Sequence, residues 1–162
     1  MNIKIKDIIV NKKDKVKLKL IDTCGQEKYR AITKSYLKNA DVVLFIFSME
    51  DIDSFNNIVD WIKLFKENNC KEDNSPKYLV GNKSDLENKV DKSLIDEFAQ
   101  KEEIPFISTS AKENKYINEL FEDIGKNLYL DYINKGVGKQ NNFQISIKKE
   151  KQKKGCCLFK AG

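Results

Sequence analysis

The spacing of apolar residues changes several times along this chain. Ile3, Ile5 and Ile8–Val10 read as a strand, and the polar run Asn11–Asp14 reads as a hairpin turn. Val16, Leu18 and Leu20 then alternate with Lys17 and Lys19, which is period two with one solvated face. The chain is therefore expected to open with an antiparallel pair. Val42–Phe47 is a continuous apolar run, the pattern of a strand buried on both faces. Phe55, Ile58, Trp61, Ile62 and Phe65 fall at helical spacing, with Glu50, Asp51 and Asp53 near the start. Tyr78–Val80 is a short buried strand, Leu94, Ile95 and Phe98 suggest a helix, and Ile104–Ile107 is another strand. Ile117, Leu120, Phe121, Ile124 and Leu128 form a strong helical stripe. From about Ile133 the pattern fades into Asn, Gln, Lys and Gly. Residues 1–132 are thus expected to be the folded body, and residues 133–162 a disordered tail. Strands alternating with helices imply an α/β layered fold with a mostly parallel sheet.

Composition narrows the functions open to such a fold. The 162 residues are 40% hydrophobic and 34% charged, ordinary for one soluble domain. There is no histidine, which excludes His-based triads and His metal sites. Cys24, Cys70, Cys156 and Cys157 show neither zinc-ligand spacing nor a disulfide framework, so a reducing compartment is expected. No apolar run reaches the ~18 residues of a membrane span, and no basic-then-apolar start marks a secretory signal. The net charge is +5, but residues 133–162 hold eight lysines and one acid, so they carry +7 and the body −2. A nucleic-acid reader would carry its basic groups on the folded surface. A basic tail on a near-neutral body fits an anionic membrane surface better, and no nucleic-acid partner is expected.

In open α/β sheets, ligands sit beyond the carboxyl ends of the strands. Three such ends here have unusual polar sequences. In Asp22-Thr23-Cys24-Gly25-Gln26-Glu27, a carboxylate after a strand is placed to hold a water on Mg²⁺. Gly25 lets the backbone approach a terminal phosphate, and Gln26 can orient an attacking water. The plain alternative is a polar turn with a helix cap. In Gly81-Asn82-Lys83-Ser84-Asp85, the Asp85 carboxylate can accept both donors on the edge of guanine. Adenine offers neither donor there, so the carboxylate would be left unpaired. Losses of that kind reach about 10⁴-fold. The Lys83 stem can cover the base face, and Asn82 can tie the loop and reach the base. In Ser110-Ala111-Lys112, the Ala111 amide can donate to guanine O6, although the tripeptide also reads as a plain helix start.

Taken in order, these loops resemble those of the Ras-superfamily small GTPases, most closely the Rab family. Asp22–Gln26 matches the family's third conserved box, Asn82–Asp85 the fourth and Ser110–Lys112 the fifth. Rab character comes from Lys19-Leu20-Ile21, Lys28-Tyr29-Arg30-Ala31-Ile32-Thr33 and Tyr36-Leu37-Lys38-Asn39-Ala40, with Ser54-Phe55-Asn56-Asn57 and Trp61 in similar places. The likeness covers about residues 3–132. It implies a three-layer P-loop-GTPase-like α/β fold, mostly parallel with an antiparallel edge strand. It also implies a GTP/GDP switch in vesicle-mediated transport, with Mg²⁺ as cofactor. By the same resemblance Asp22 supports Mg²⁺ through water, Gly25 meets the terminal phosphate and Gln26 positions water for hydrolysis. Asn82, Lys83, Asp85 and Ala111 select guanine, with Ser110 and Lys112 supporting the loop. Implied partners are Rab effectors, exchange and GTPase-activating proteins, and the prenylation machinery. The positions matching the family's effector-facing trio are Ile3, Ile21 and Tyr36, two aliphatics where the family is mostly aromatic.

The family grips phosphates with Gly-x-x-x-x-Gly-Lys-Ser/Thr, and none of the seven glycines here is spaced for it. By the resemblance, Met1 falls at the start of the second strand. The first strand, phosphate loop, first helix and most of the first switch would lie ahead of it, about one crossover unit. The missing strand belongs mid-sheet, between those ending at Asp22 and Phe47, so those two edges are expected to stand unpaired or to pair with each other. Two readings stay open: an incomplete version of a full GTPase, or a shortened, non-catalytic, membrane-tethered module that binds Rab partners. The tail has five lysines in Lys148–Lys154, then Gly155-Cys156-Cys157. Paired thiols on a basic arm read as lipid acceptors, placing the protein in the cytoplasm, peripheral on the cytosolic face of an intracellular membrane. Five residues follow the pair, longer than the family's usual ending, and the pattern is not a Cys-a-a-X box.

Overall fold

Alternating apolar positions at the start of the chain produce the hairpin they predict. Strands β1 (Asn2–Ile9) and β2 (Lys15–Asp22) pair antiparallel, with Ile3 opposite Ile21 and Ile8 opposite Val16. The computed structural model describes residues 2–10, 14–23, 30–37, 40–68, 75–134 and 155–160. Helix α1 (Arg30–Leu37) follows, then strand β3 (Ala40–Ser48). Val42, Val43, Leu44, Phe45 and Phe47 of β3 are all buried, as their unbroken apolar run requires.

The helical stripe from Phe55 to Phe65 is not one helix. It divides at Asn57 into α2 (Ile52–Asn56) and α3 (Ile58–Asn68). Helix α2 is capped by the Asp51 carboxylate, which accepts from the Asp53 and Ser54 amides. Strand β4 (Lys77–Asn82) leads to α4 (Lys92–Glu102), which starts at the Asp91 cap and stops at Glu103 in the left-handed region (φ 54°). Strand β5 (Phe106–Ser108) begins later than the apolar run from Ile104 suggests. The Ile104 amide donates to the Ala99 carbonyl at the end of α4, and Pro105 has no amide to give. Helix α5 (Ile117–Asn134) carries the last stripe.

Strand β6 (Gly155–Lys160) completes a six-stranded sheet of order β1-β2-β6-β3-β4-β5, parallel except for the edge strand β1. This corrects the expectation of a vacant central position. Among the described residues β2 and β3 do not pair with each other. Both pair with the tail segment, Leu20 and Val42 each in register with Cys156, and Leu44 with Leu158. The tail is accordingly not uniform: α5 runs to Asn134, and residues 155–160 are a strand. The physical reason is that two exposed ladders flanked by apolar side chains need amide and carbonyl partners, and a short apolar segment supplies them.

The sheet has a core on each face, which makes three layers. One packs Val43, Phe45 and Phe47 against Leu37, Ile58, Ile62, Phe65 and Ile95 of the helices α1, α3 and α4. The other packs Ile8, Leu18, Val42, Leu44 and Val80 against Leu120, Ile124 and Leu128 of α5. Phe47 contacts Phe55 edge-on at 5.0 Å, and Phe55 contacts Phe98 at 5.5 Å, tying β3, α2 and α4 together. On the opposite face the buried Tyr78 hydroxyl donates to Asp123 (2.9 Å) and accepts from Asn127 (2.7 Å), which fixes α5 on β4. Leu94, read as part of the α4 stripe, is 48% exposed; Ile95 is fully buried in the core, with Phe98 and Ala99 partly buried against it.

Phe65 is fully buried, with its ring edge-on to Phe45 at 6.1 Å. Phe65→Ala is expected to lower unfolding free energy by about 3–5 kcal/mol, measured by urea denaturation. A loss under about 1 kcal/mol would contradict this packing.

Candidate functional site

Parallel pairing brings the polar strand ends to one edge of the sheet. Gly81 of β4 stands opposite Ser108 of β5, and Asn82 opposite Ser48 of β3. Because β2, β6 and β3 run parallel, Asp22 leaves the sheet on that same edge. The loops after β4 and β5 are stitched together by backbone bonds. The Thr109 amide donates to the Gly81 carbonyl (2.8 Å) and the Ser84 amide to the Thr109 carbonyl (3.0 Å). Gly81 is required by space: a Cβ there would lie 2.4 Å from Met49 Sδ and 3.0 Å from the Phe106 ring.

Side chains complete the union. Asn82 Oδ1 accepts from the Ala111 amide at 3.0 Å and from Thr109 Oγ1 at 3.5 Å. Ser110 Oγ donates to Asp85 Oδ1 at 2.6 Å and accepts from the Glu113 amide at 3.1 Å. Ser110 is itself fully buried, and its backbone bridges both ways to Lys115. Lys112 Nζ lies 3.8 Å from Asp85 Oδ2, but its side chain is 79% exposed, so water screens that pair. The Ser110 hydrogen bond, ahead of the more distant lysines, holds the Asp85 carboxyl below its ordinary range. Asp85 therefore stays ionised at neutral pH, with lone pairs remaining for further donors.

Lys83 adopts a left-handed backbone (φ 64°), and its ammonium pairs with the Glu50 carboxylate just past β3. Its stem is thus held along the loop, and the Lys83 carbonyl closes a turn by accepting from the Leu86 amide. The Ser84 hydroxyl is buried without a hydrogen-bond partner among the described residues.

The structure brings together six of the expected positions: Asn82, Lys83, Asp85, Ser110, Ala111 and Lys112. One detail differs from the expectation. The Ala111 amide, assigned to a base oxygen, already donates to Asn82, so it meets a ligand only by sharing or exchanging that bond. Asp22 is exposed at the end of β2, beside the buried Thr23. Gly25 and Gln26 lie outside the described residues. Cys156 and Cys157 lie in β6. Ile3 and Ile21 face each other across the hairpin, but Ile3 is 44% exposed while Ile21 is buried at 4%, and Tyr36 is partly buried against the helical core. Sequence reasoning missed Glu50 and Thr109. Glu50 carried only a helix-start signal, and Thr109 none.

Among the described residues no group of three acidic or sulfur side chains is arranged to hold a metal, and no helix is long and apolar enough to cross a membrane.

Comparison with known proteins now bears on this geometry. The family model described as "Ras family" matches residues 1–130. The Ras-related protein SEC4 of Saccharomyces cerevisiae is 37% identical over an alignment covering 97% of this chain and 75% of its own length. The GTP-binding protein YPTM1 of Zea mays is 41% identical across 75% of this chain and 58% of its own. The Ras-related protein Rab-11B of Dictyostelium discoideum is 37% identical across 82% of this chain and 63% of its own. The chain therefore spans between about half and three quarters of the length of these relatives.

Because Asp85 is held below its unfolded value of about 3.9, its contribution to stability is present above that pH and is lost as pH falls through the lower folded value. Ser110→Ala is expected to raise the Asp85 titration midpoint, followed by carboxyl carbon NMR. An unchanged midpoint would show that the 2.6 Å bond does not control the carboxylate.

Proposed function

This chain belongs to the Ras family, with Rab-type proteins among its relatives, and from that membership we propose that it serves as a guanine-nucleotide switch in vesicle-mediated transport. The observation that carries the proposal is the joined pair of loops at the ends of β4 and β5. An ionised carboxylate, Asp85, is fixed there by a buried serine, and the neighbouring Asn82 ties the second loop to the first. Two adjacent donors on a base edge match that acceptor, and guanine has them where adenine does not. Discrimination arises because an unmatched, desolvated carboxylate is costly. The Lys83 stem, anchored at Glu50, offers apolar cover for one face of the base.

Asp22 ends β2 three strands from β4 and, through Leu158 and Leu44, is level with Tyr78, four residues before Asn82. In this reading the base lies at the Asn82 end and the phosphates lie towards Asp22. Mg²⁺ fits this edge as a largely hydrated ion that takes one carboxylate from the protein and further oxygens from a nucleotide. Asp22 would hold such an ion through water. When bound, the ion neutralises phosphate charge. Gly25 and Gln26 are assigned the terminal phosphate and the attacking water by their place after Asp22. In this reading the nucleotide state governs contacts with effectors, exchange factors and activating proteins, with Ile3 the most accessible of the three assigned effector positions. The tail thiols Cys156 and Cys157 receive lipid, and the lysines before them approach the anionic cytosolic face of a membrane.

A second reading is a module that recognises the base and binds Rab partners without turning nucleotide over; residues 1–162 by themselves contain no Gly-x-x-x-x-Gly-Lys-Ser/Thr. The 162-residue chain is expected to bind GTP weakly, with an affinity close to that for guanosine.

Isothermal titration calorimetry at high concentration tests both points. GDP is expected to bind at least about 100-fold more tightly than ADP, and Asp85→Ala to abolish the difference. Equal binding of GDP and ADP would overturn the guanine reading. Submicromolar, Mg²⁺-dependent GTP binding would overturn the second one.

A further inference from the structure

The end of β3 is fastened to the loop that carries Lys83 and Asp85. The Met49 amide donates to the Asn82 carbonyl (2.8 Å), and the Met49 carbonyl accepts from the Lys89 amide (2.9 Å) and the Val90 amide (3.3 Å). One residue thus holds that loop at both ends. The next residue, Glu50, stands in a tight turn that the Asp51 amide closes on the Ser48 carbonyl (3.0 Å). Ser54 braces the turn: its hydroxyl accepts from the Ser48 amide (2.9 Å) and donates to the Asp51 carbonyl (2.8 Å). The Glu50 side chain, 33% exposed, meets the Lys83 ammonium through Oε1. A partly exposed ion pair contributes little to stability. Its consequence here is geometric, because it orients a carboxylate on a backbone held from both sides.

The order of the strands gives that carboxylate a place along a nucleotide. Strand β3 neighbours β4 on the side of β2, so Glu50 stands between the loop that reads the base and the strand that ends at Asp22. With the base at Asn82–Asp85 and the phosphates towards Asp22, the sugar that joins them crosses the end of β3. Ribose presents two neighbouring hydroxyl donors. An ionised carboxylate offers about four acceptor sites, and Lys83 engages only one oxygen of Glu50. In dinucleotide-binding α/β sheets an acidic side chain takes a ribose hydroxyl in this way. An unpaired acid there would repel the phosphates, whereas the Glu50–Lys83 pair is neutral. We propose that Glu50 is the sugar-reading residue of this site: its carboxylate, oriented by Lys83, accepts from the ribose hydroxyls of a bound guanine nucleotide and selects it over its deoxy counterpart. This role rests on the guanine reading of the same loops and extends it from the base to the sugar.

The test is calorimetric titration of the full chain with GDP, 2′,3′-dideoxy-GDP and ADP. GDP is expected to bind at least about fivefold more tightly than 2′,3′-dideoxy-GDP, the loss that follows from removing hydrogen bonds to a partly exposed carboxylate. In Glu50→Ala that ratio is expected to fall to about one, while the preference for GDP over ADP remains. A residue that only anchored Lys83 would weaken both guanine nucleotides alike and leave the ratio in place. A ratio that persists in Glu50→Ala would therefore overturn the assignment. Equal binding of GDP and its dideoxy form by the unaltered chain would overturn it too, and that comparison needs no variant. If GDP is preferred over ADP but not over its dideoxy form, the base site stands and the role of Glu50 alone is lost. If GDP and ADP bind alike, the guanine reading fails and the sugar role falls with it.

Discussion

The parallel register of β4 against β5 is the constraint on which the candidate site depends. With Gly81 opposite Ser108, both strands end at the same height, and the loops that follow must emerge side by side. Backbone bonds from Thr109 to Gly81 and from Ser84 to Thr109 then leave little freedom in how they meet. Asn82 and Ser110 add a side-chain tie from each loop to the other. The result is a carboxylate whose position and ionisation are set before any ligand arrives, and preorganisation of that kind lowers the cost of recognition. A glycine at position 81 is part of the same constraint, since Met49 and Phe106 close over the place where a side chain would go.

Much of this was legible in the sequence because it is local. The run Val42–Phe47 announced a strand buried on both faces, and the loops at Asn82–Asp85 and Ser110–Lys112 could be assigned from residue type and order alone. The interaction between those loops was less legible. Nothing in Ala111 shows that its amide is already taken by Asn82, because that bond depends on the spacing of two strands. The division of the helical stripe at Asn57 was hidden for a similar reason: Phe55, Ile58 and Ile62 are buried on both sides of the break, so the apolar spacing continues across it. Ile21 shows the limit of matching positions across a family, since the residue assigned to an exposed contact lies in the core.

The tail was the furthest from its sequence reading. Lysines and paired cysteines dominate its composition and point to a membrane, yet Cys156–Phe159 is also a short apolar run suited to a strand. Its place in the sheet is a non-local fact that composition does not carry: among the described residues, the ladders on either side of it belong to β2 and β3.

The central claim is that the loops after β4 and β5 form a site for a guanine base. The most direct measurement is a two-dimensional amide NMR titration of the full chain with GDP, followed by the same titration with ADP. The account predicts that GDP shifts the amides of residues 82–85 and 109–112 together, the Ala111 amide among them, and that ADP leaves them in place. GDP shifts confined to other parts of the chain, or equal responses to the two nucleotides, would contradict it.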